Sequence, residues 1–235
     1  MERRRIFLLL FTTFVLLTFR GDKDDSVPAF GEEWAVSPEE VLHYFCEIAF
    51  GSELGESPPF LTRWVSPVSI AVRGNPGEED LRLIEDLLAS LNLVEGFPGI
   101  RFSEGEADLT VFFLPRDQLE KQFSLWQKGD RGIVEYVWNR KSGVITRATV
   151  GIDENLRFGR AATVAEEILQ ALGLGQDSVT FSNSVVYDHD TALDGPMELD
   201  LLLVSLLYHP SLKPGMTKEE ALPYLEKILG TEAVT

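Results

Sequence analysis

The sequence predicts an α+β protein, on three observations. Short alternating apolar segments occupy the middle of the chain, whereas apolar residues at helical spacing dominate its last third. Two capping boxes, Ser37-Pro38-Glu39-Glu40 and Thr217-Lys218-Glu219-Glu220, mark helix starts near either end of the folded part. The 235 residues, 44% hydrophobic and 25% charged, are enough for one full core. No internal repeat or low-complexity tract interrupts them.

Residues 1–20 read as a signal peptide or N-terminal anchor. Arg3, Arg4 and Arg5 precede an apolar run at 6–19, which is shorter than the roughly 18 residues of a spanning helix. Val27-Pro28-Ala29 fits a small-residue cleavage rule, but Asp22, Lys23, Asp24 and Asp25 lie between. Cleavage and retention as an anchor therefore both stay open. No cysteine follows the run, which excludes a lipoprotein anchor. The body is expected outside the cytoplasm, periplasmic or extracellular, touching a membrane only through an uncleaved N-terminal segment. Residues 21–36 read as a linker and 37–235 as a single domain.

Behind the Ser37 box, Val41, Leu42, Phe45, Ile48 and Ala49 share one side of a helix that Gly51 ends. Residues 68–72 alternate as a strand, and Gly74-Asn75-Pro76-Gly77 is a turn. In residues 78–91, Leu81, Ile84, Leu87, Leu88 and Leu91 form one apolar helical face. Residues 100–102 and 109–113 read as strands and 118–126 as a short helix. Residues 132–138 and 144–152 read as a strand pair joined near 139–143. A helix begins near Arg160. Residues 178–196 show little periodicity, 198–207 are strongly apolar, and 217–229 close the chain as a helix.

The net charge of -17 repels phosphates and excludes nucleic acid as a partner. It suits cations, a basic peptide or protein, or solubility alone. A single cysteine, Cys46, rules out an internal disulfide and lies in an apolar helical stretch as a buried thiol.

The candidate site is on the helix that starts near Arg160. At 100° per residue, Thr163, Glu166, Glu167, Gln170, Gly173 and Leu174 share an arc of about 120°. Glu166 and Gln170 are four apart, and Glu167 and Gln170 are three apart, so each pair consists of neighbours. A wet polar face and a cleft would both give this pattern. One-signed charge favours the cleft: no lysine or arginine occurs from 161 to 212, against Glu166, Glu167, Asp177, Asp188, Asp190, Asp194, Glu198 and Asp200. The expected cleft residues are Glu166, Glu167, Gln170, Gly173, Gln176, Asp177, Ser184 and Tyr187.

The segment Glu166-Glu167-Ile168-Leu169-Gln170-Ala171-Leu172-Gly173-Leu174-Gly175-Gln176-Asp177 resembles the zinc-peptidase helix H-E-x-x-H-x-x-G-x-x-H with each histidine replaced. Ser184-Val185-Val186-Tyr187 follows as in the metzincin layout, with Val186 where methionine is common. The chain is more similar still to an uncharacterised family of exported bacterial proteins that carry E-E-x-x-Q-x-L-G-L. That similarity runs over about residues 41–229. It includes Ile48-Ala49-Phe50-Gly51-Ser52-Glu53-Leu54, Arg63-Trp64, Leu206-Leu207-Tyr208-His209-Pro210 and Lys213-Pro214-Gly215-Met216. The resemblance implies a zincin-like (metzincin-like) fold, a twisted mixed sheet packed on helices, with the zinc ligands absent and no established activity.

Zinc favours imidazole and thiolate, whereas Glu166, Gln170 and Gln176 offer one carboxylate and two amides. His43, His189 and His209 lie outside the motif. No metal or other cofactor is therefore expected. Calcium is the exception left open, through Asp188, Asp190 and Asp194, although Ala192 and Leu193 break the EF-hand spacing. If the protein is an enzyme, the catalytic pair is Glu167 and Gln170, an acid/base group beside an oxyanion-stabilising amide. The leading expectation is an exported non-catalytic pseudo-metallopeptidase, a binding or structural module. A metal-independent hydrolase and a calcium-dependent binding module are the alternatives.

Overall fold

The structure, a computed structural model, describes residues 36–51, 58–189 and 192–231. The N-terminal apolar run, residues 21–35 of the linker and Asp190 lie outside the described residues. The described chain is α+β, with a mixed five-stranded sheet and six helices. In chain order these are α1 (Pro38–Ala49), β1 (Val68–Gly74), α2 (Glu78–Leu91), β2 (Ile100–Phe102), β3 (Leu109–Leu114), α3 (Arg116–Gln122), β4 (Gly132–Trp138), β5 (Ile145–Asp153), α4 (Arg160–Ala171), α5 (Glu198–Leu207) and α6 (Lys218–Leu229). Among the described residues no helix is long and apolar enough to cross a membrane.

The sheet order is β2-β1-β3-β5-β4. The first four strands run parallel, and only β4 is antiparallel to its neighbour β5. Parallel neighbours need crossover connections, and the helices read at 78–91 and 118–126 fall between strands accordingly. Helix α2 makes the crossover from β1 to β2, and α3 lies between β3 and β4. Period-two burial gives one face Val68 and Ile70 of β1, Leu109, Val111 and Phe113 of β3, and Ala148, Val150 and Ile152 of β5. That face shares one core with α1, α2, α4, α5 and α6. The other face carries a smaller cluster of Leu119, Phe123 and Ile133, joined by Phe112, Leu114 and Trp126.

Both capping boxes form. Ser37 N donates to Glu40 Oε2 (2.8 Å) and Glu40 N to Ser37 Oγ (3.2 Å), and Thr217 and Glu220 repeat the pattern. Two helices depart from the sequence pattern. Helix α3 spans 116–122, not 118–126, because Phe123 turns extended (φ -107°, ψ 120°) and buries its ring. On α2, Leu81 is 37% exposed while Asp80 is buried. The reason is electrostatic. The Asp80 carboxylate accepts from Gly77 N (2.6 Å) and holds Arg160 through two bonds, Nε to Oδ1 (2.7 Å) and Nη2 to Oδ2 (2.8 Å). Nη1 of Arg160 donates to the carbonyls of Asp153, Glu154 and Leu156, and the guanidinium lies 5.1 Å from the Phe113 ring centroid. One side chain thus fixes the start of α4 against α2 and the end of β5.

Candidate functional site

Helix α4 carries the motif, and its C-terminal end is closed group by group. The last carbonyls of a helix have no partner within it. Here Leu174 N donates to Leu169 O (3.5 Å) and Gly173 N to Gln170 O (2.9 Å), the paired pattern of a Schellman turn. Trp64 Nε1 donates to Ala171 O (2.9 Å), and the Tyr208 hydroxyl to Leu172 O (2.9 Å). Gly173 has φ +118°, and a Cβ there would lie 2.1 Å from the backbone oxygen of Thr62. The glycine at the end of the motif is therefore required by conformation and by contact. Trp64→Phe would strand the buried Ala171 carbonyl; an unfolding free energy lower by about 1–3 kcal/mol in denaturant titration is expected.

The end of α5 is held in a related way. Arg63 Nη1 donates to the carbonyls of Leu207 (2.7 Å) and His209 (3.3 Å), and the guanidinium lies 5.6 Å from the Tyr208 ring centroid. The cation at this helix end is thus Arg63.

The polar arc of α4 lies beneath the sheet edge. Glu167 is 5% exposed and Gln170 1%, while Thr163 and Leu174 are also buried and Glu166 is half-buried. Thr163 and Glu167 face Gly132 of β4, where a Cβ would stand 2.4 Å from Glu167 Oε1 and 2.7 Å from Thr163 Cγ2. Glycine at 132 is what lets the carboxylate lie under the strand. The amide nitrogen of Gln170 donates to Asp177 Oδ1. Its buried Oε1 has no hydrogen-bond partner. Gln176 is tied to Asp177 O by its side chain (3.1 Å) and to Ile48 O by its backbone (3.2 Å). Tyr136 of β4 closes over this end: its hydroxyl would be 2.7 Å from a Cβ on Gly175, and burial pushes the phenol up.

The structure therefore brings Glu167, Gln170, Gly173, Gln176 and Asp177 to one end of α4. Ser184 and Tyr187 bond to and pack against other partners. Ser184 is fully buried, accepts from the Tyr44 hydroxyl (2.8 Å) and donates to Asp200. Tyr187 packs edge-on against His189, with ring centroids 5.1 Å apart. An isolated parallel bridge, Ser178 to Tyr187, connects the two regions.

A family profile described as "Protein of unknown function (DUF2927)" matches residues 38–227. The chain belongs to this family. The match runs from the first residue of α1 almost to the end of α6, so it covers nearly all of the described core. No curated protein matches the chain.

The donor set of this DUF2927 chain does not fit zinc. Glu166, Gln170 and Gln176 supply oxygen-type groups, and Gln170 and Gln176 already donate to Asp177. Among the described residues, no three His, Cys, Asp or Glu side chains form a metal-ligand group. The sequence did not point to Trp64, Tyr208 or Gly132 as supports of α4. Nor did it point to Tyr44 and Asp200 as a pair. Asp200 alone had a usable signal, an acid in the first turn of a strongly apolar helix.

Proposed function

We propose that this DUF2927 protein is an exported, non-catalytic module of zincin-like fold that serves binding or architecture and does not cleave peptides. The carrying observation is the state of the motif residues. Gln170, at the second ligand position of the peptidase-like pattern, is buried with its amide nitrogen engaged by Asp177, and Glu167 lies under Gly132. A base and ligand that act on a substrate must be reachable from a cleft. Here Glu167 is built into the contact between α4 and β4, and Gln170 is buried with its amide on Asp177. The zincin-like reading draws support from the mixed sheet with its antiparallel edge strand over the motif helix. Export is proposed from Arg3, Arg4, Arg5 and the apolar run behind them. The proposed partner is a basic peptide or protein, on the strength of the lysine- and arginine-free stretch 161–212.

Purified protein is expected to hold no stoichiometric zinc in elemental analysis and to leave a generic protein substrate intact. Its melting temperature should be indifferent to calcium and to chelator. One tightly held zinc per chain, or proteolysis lost in Glu167→Gln, would overturn the non-catalytic reading. A calcium-dependent rise in melting temperature would favour the calcium-binding module.

A further inference from the structure

Asp200 stands in the first turn of α5 and is 0% exposed. Its carboxylate accepts from the backbone amides of Met197 (2.7 Å) and Val185 (3.2 Å) and from the Ser184 hydroxyl. Ser184 in turn accepts from Tyr44 on α1 (2.8 Å) and from Val186 N (3.3 Å). Every donor in this set is neutral, and no lysine or arginine occurs from 161 to 212. The ionisable groups that act electrostatically on Tyr44 are all acids: Asp200, Glu47 on α1, and Asp177 beside the motif helix. A carboxylate buried without a cation favours its protonated form.

We propose that Asp200 is a proton-operated latch that takes up one proton in mildly acid conditions and resets the 184–186 turn between α1 and α5. The hydrogen bonds dictate the change. In the charged form, each contact of Asp200 is a donor pointing at it. A proton from solvent, bound on the oxygen that faces Ser184, turns that oxygen into a donor. Ser184 Oγ must then accept it, its own proton rotates away, and the bond from Tyr44 or Val186 gives way. The turn is coupled to the motif helix, because Ser178 N donates to Val186 O (3.0 Å) and Ser178 follows Asp177, the partner of Gln170.

Burial, opposed by the bonds from Ser184, Met197 and Val185, pushes the Asp200 carboxyl up to about 6. The fold then binds this proton more tightly than the unfolded chain. The stabilisation is fully present below the ordinary carboxylate value and is lost as pH rises through about 6.

The test is a carbon-13 carboxyl NMR titration of the purified full chain from about pH 2 to pH 8, across the ordinary and shifted carboxylate values. One aspartate resonance, assigned to Asp200, should show a midpoint near 6. The amides of Val185 and Met197 should move with the same midpoint. That transition should vanish in Asp200→Asn. In Ser184→Ala, which loses a donor to the charged form, the midpoint should move upward; this variant decides the matter if Asp200→Asn fails to fold. An Asp200 midpoint at or below the ordinary value near 3.9, a transition that leaves the two amides unmoved, or an unshifted midpoint in Ser184→Ala would overturn the latch.

Discussion

Gly173→Ala is expected to destabilise the protein by about 3–5 kcal/mol, a large fraction of the 5–15 kcal/mol typical of a domain. Two separate penalties act at this position. At φ +118° a side chain lies outside even the left-handed region that non-glycine residues tolerate. The new Cβ would also stand 2.1 Å from the Thr62 backbone oxygen, a rigid neighbour that cannot rotate away. Relief requires the 61–64 segment to move. Trp64 belongs to that segment, so its bond to Ala171 O is lost with the movement. For a domain of this size the unfolding midpoint should fall by about 10 °C or more. Thermal unfolding followed by circular dichroism checks this, with Gly105→Ala as the control. A Cβ on Gly105 meets nothing within 4 Å, so that variant should stay within about 0.5 kcal/mol of the parent. Equal stability of the two variants would show that the end of α4 does not depend on this close approach.

The position of Gly173 also shows what the sequence could and could not reveal. Periodicity placed α4 correctly and identified the face that carries Thr163, Glu167 and Gln170, because those signals depend on neighbours along the chain. It did not reveal that this face is covered. The cover is Gly132 on β4, and a glycine in a strand gives no local sign of the carboxylate beneath it. Likewise, Trp64 and Tyr208 are recognisable as aromatic residues, but their role depends on meeting Ala171 and Leu172 from 107 and 36 residues away. The sequence grouped Ser184 with the cleft because it follows the motif in the metzincin-like layout. The structure joins it to Tyr44, 140 residues away, and to Asp200. Strand identity was legible for the same local reason that helix identity was. Parallel pairing was not, since it is decided by which crossover helices pack on the sheet.

The start of α4 gives the second large effect. Arg160→Met keeps most of the apolar stem and removes the guanidinium. Asp80, almost wholly buried, would then face the core with only the Gly77 amide and no cation. Removing one partner of a buried ion pair costs about 3–5 kcal/mol, chiefly because the remaining charge is left uncompensated. The carbonyls of Asp153, Glu154 and Leu156 lose their shared donor as well. A loss at the upper end of that range is expected in denaturant titration. The nature of the penalty fixes the next step. If uncompensated charge dominates, Asp80→Asn in the Arg160→Met background should recover part of the loss, because the amide oxygen can still accept from Gly77 N while the charge is gone. If the orphaned carbonyls dominate, the double variant should be no more stable than Arg160→Met alone. Recovery would assign the anchoring of α4 to the charge pair between α2 and α4.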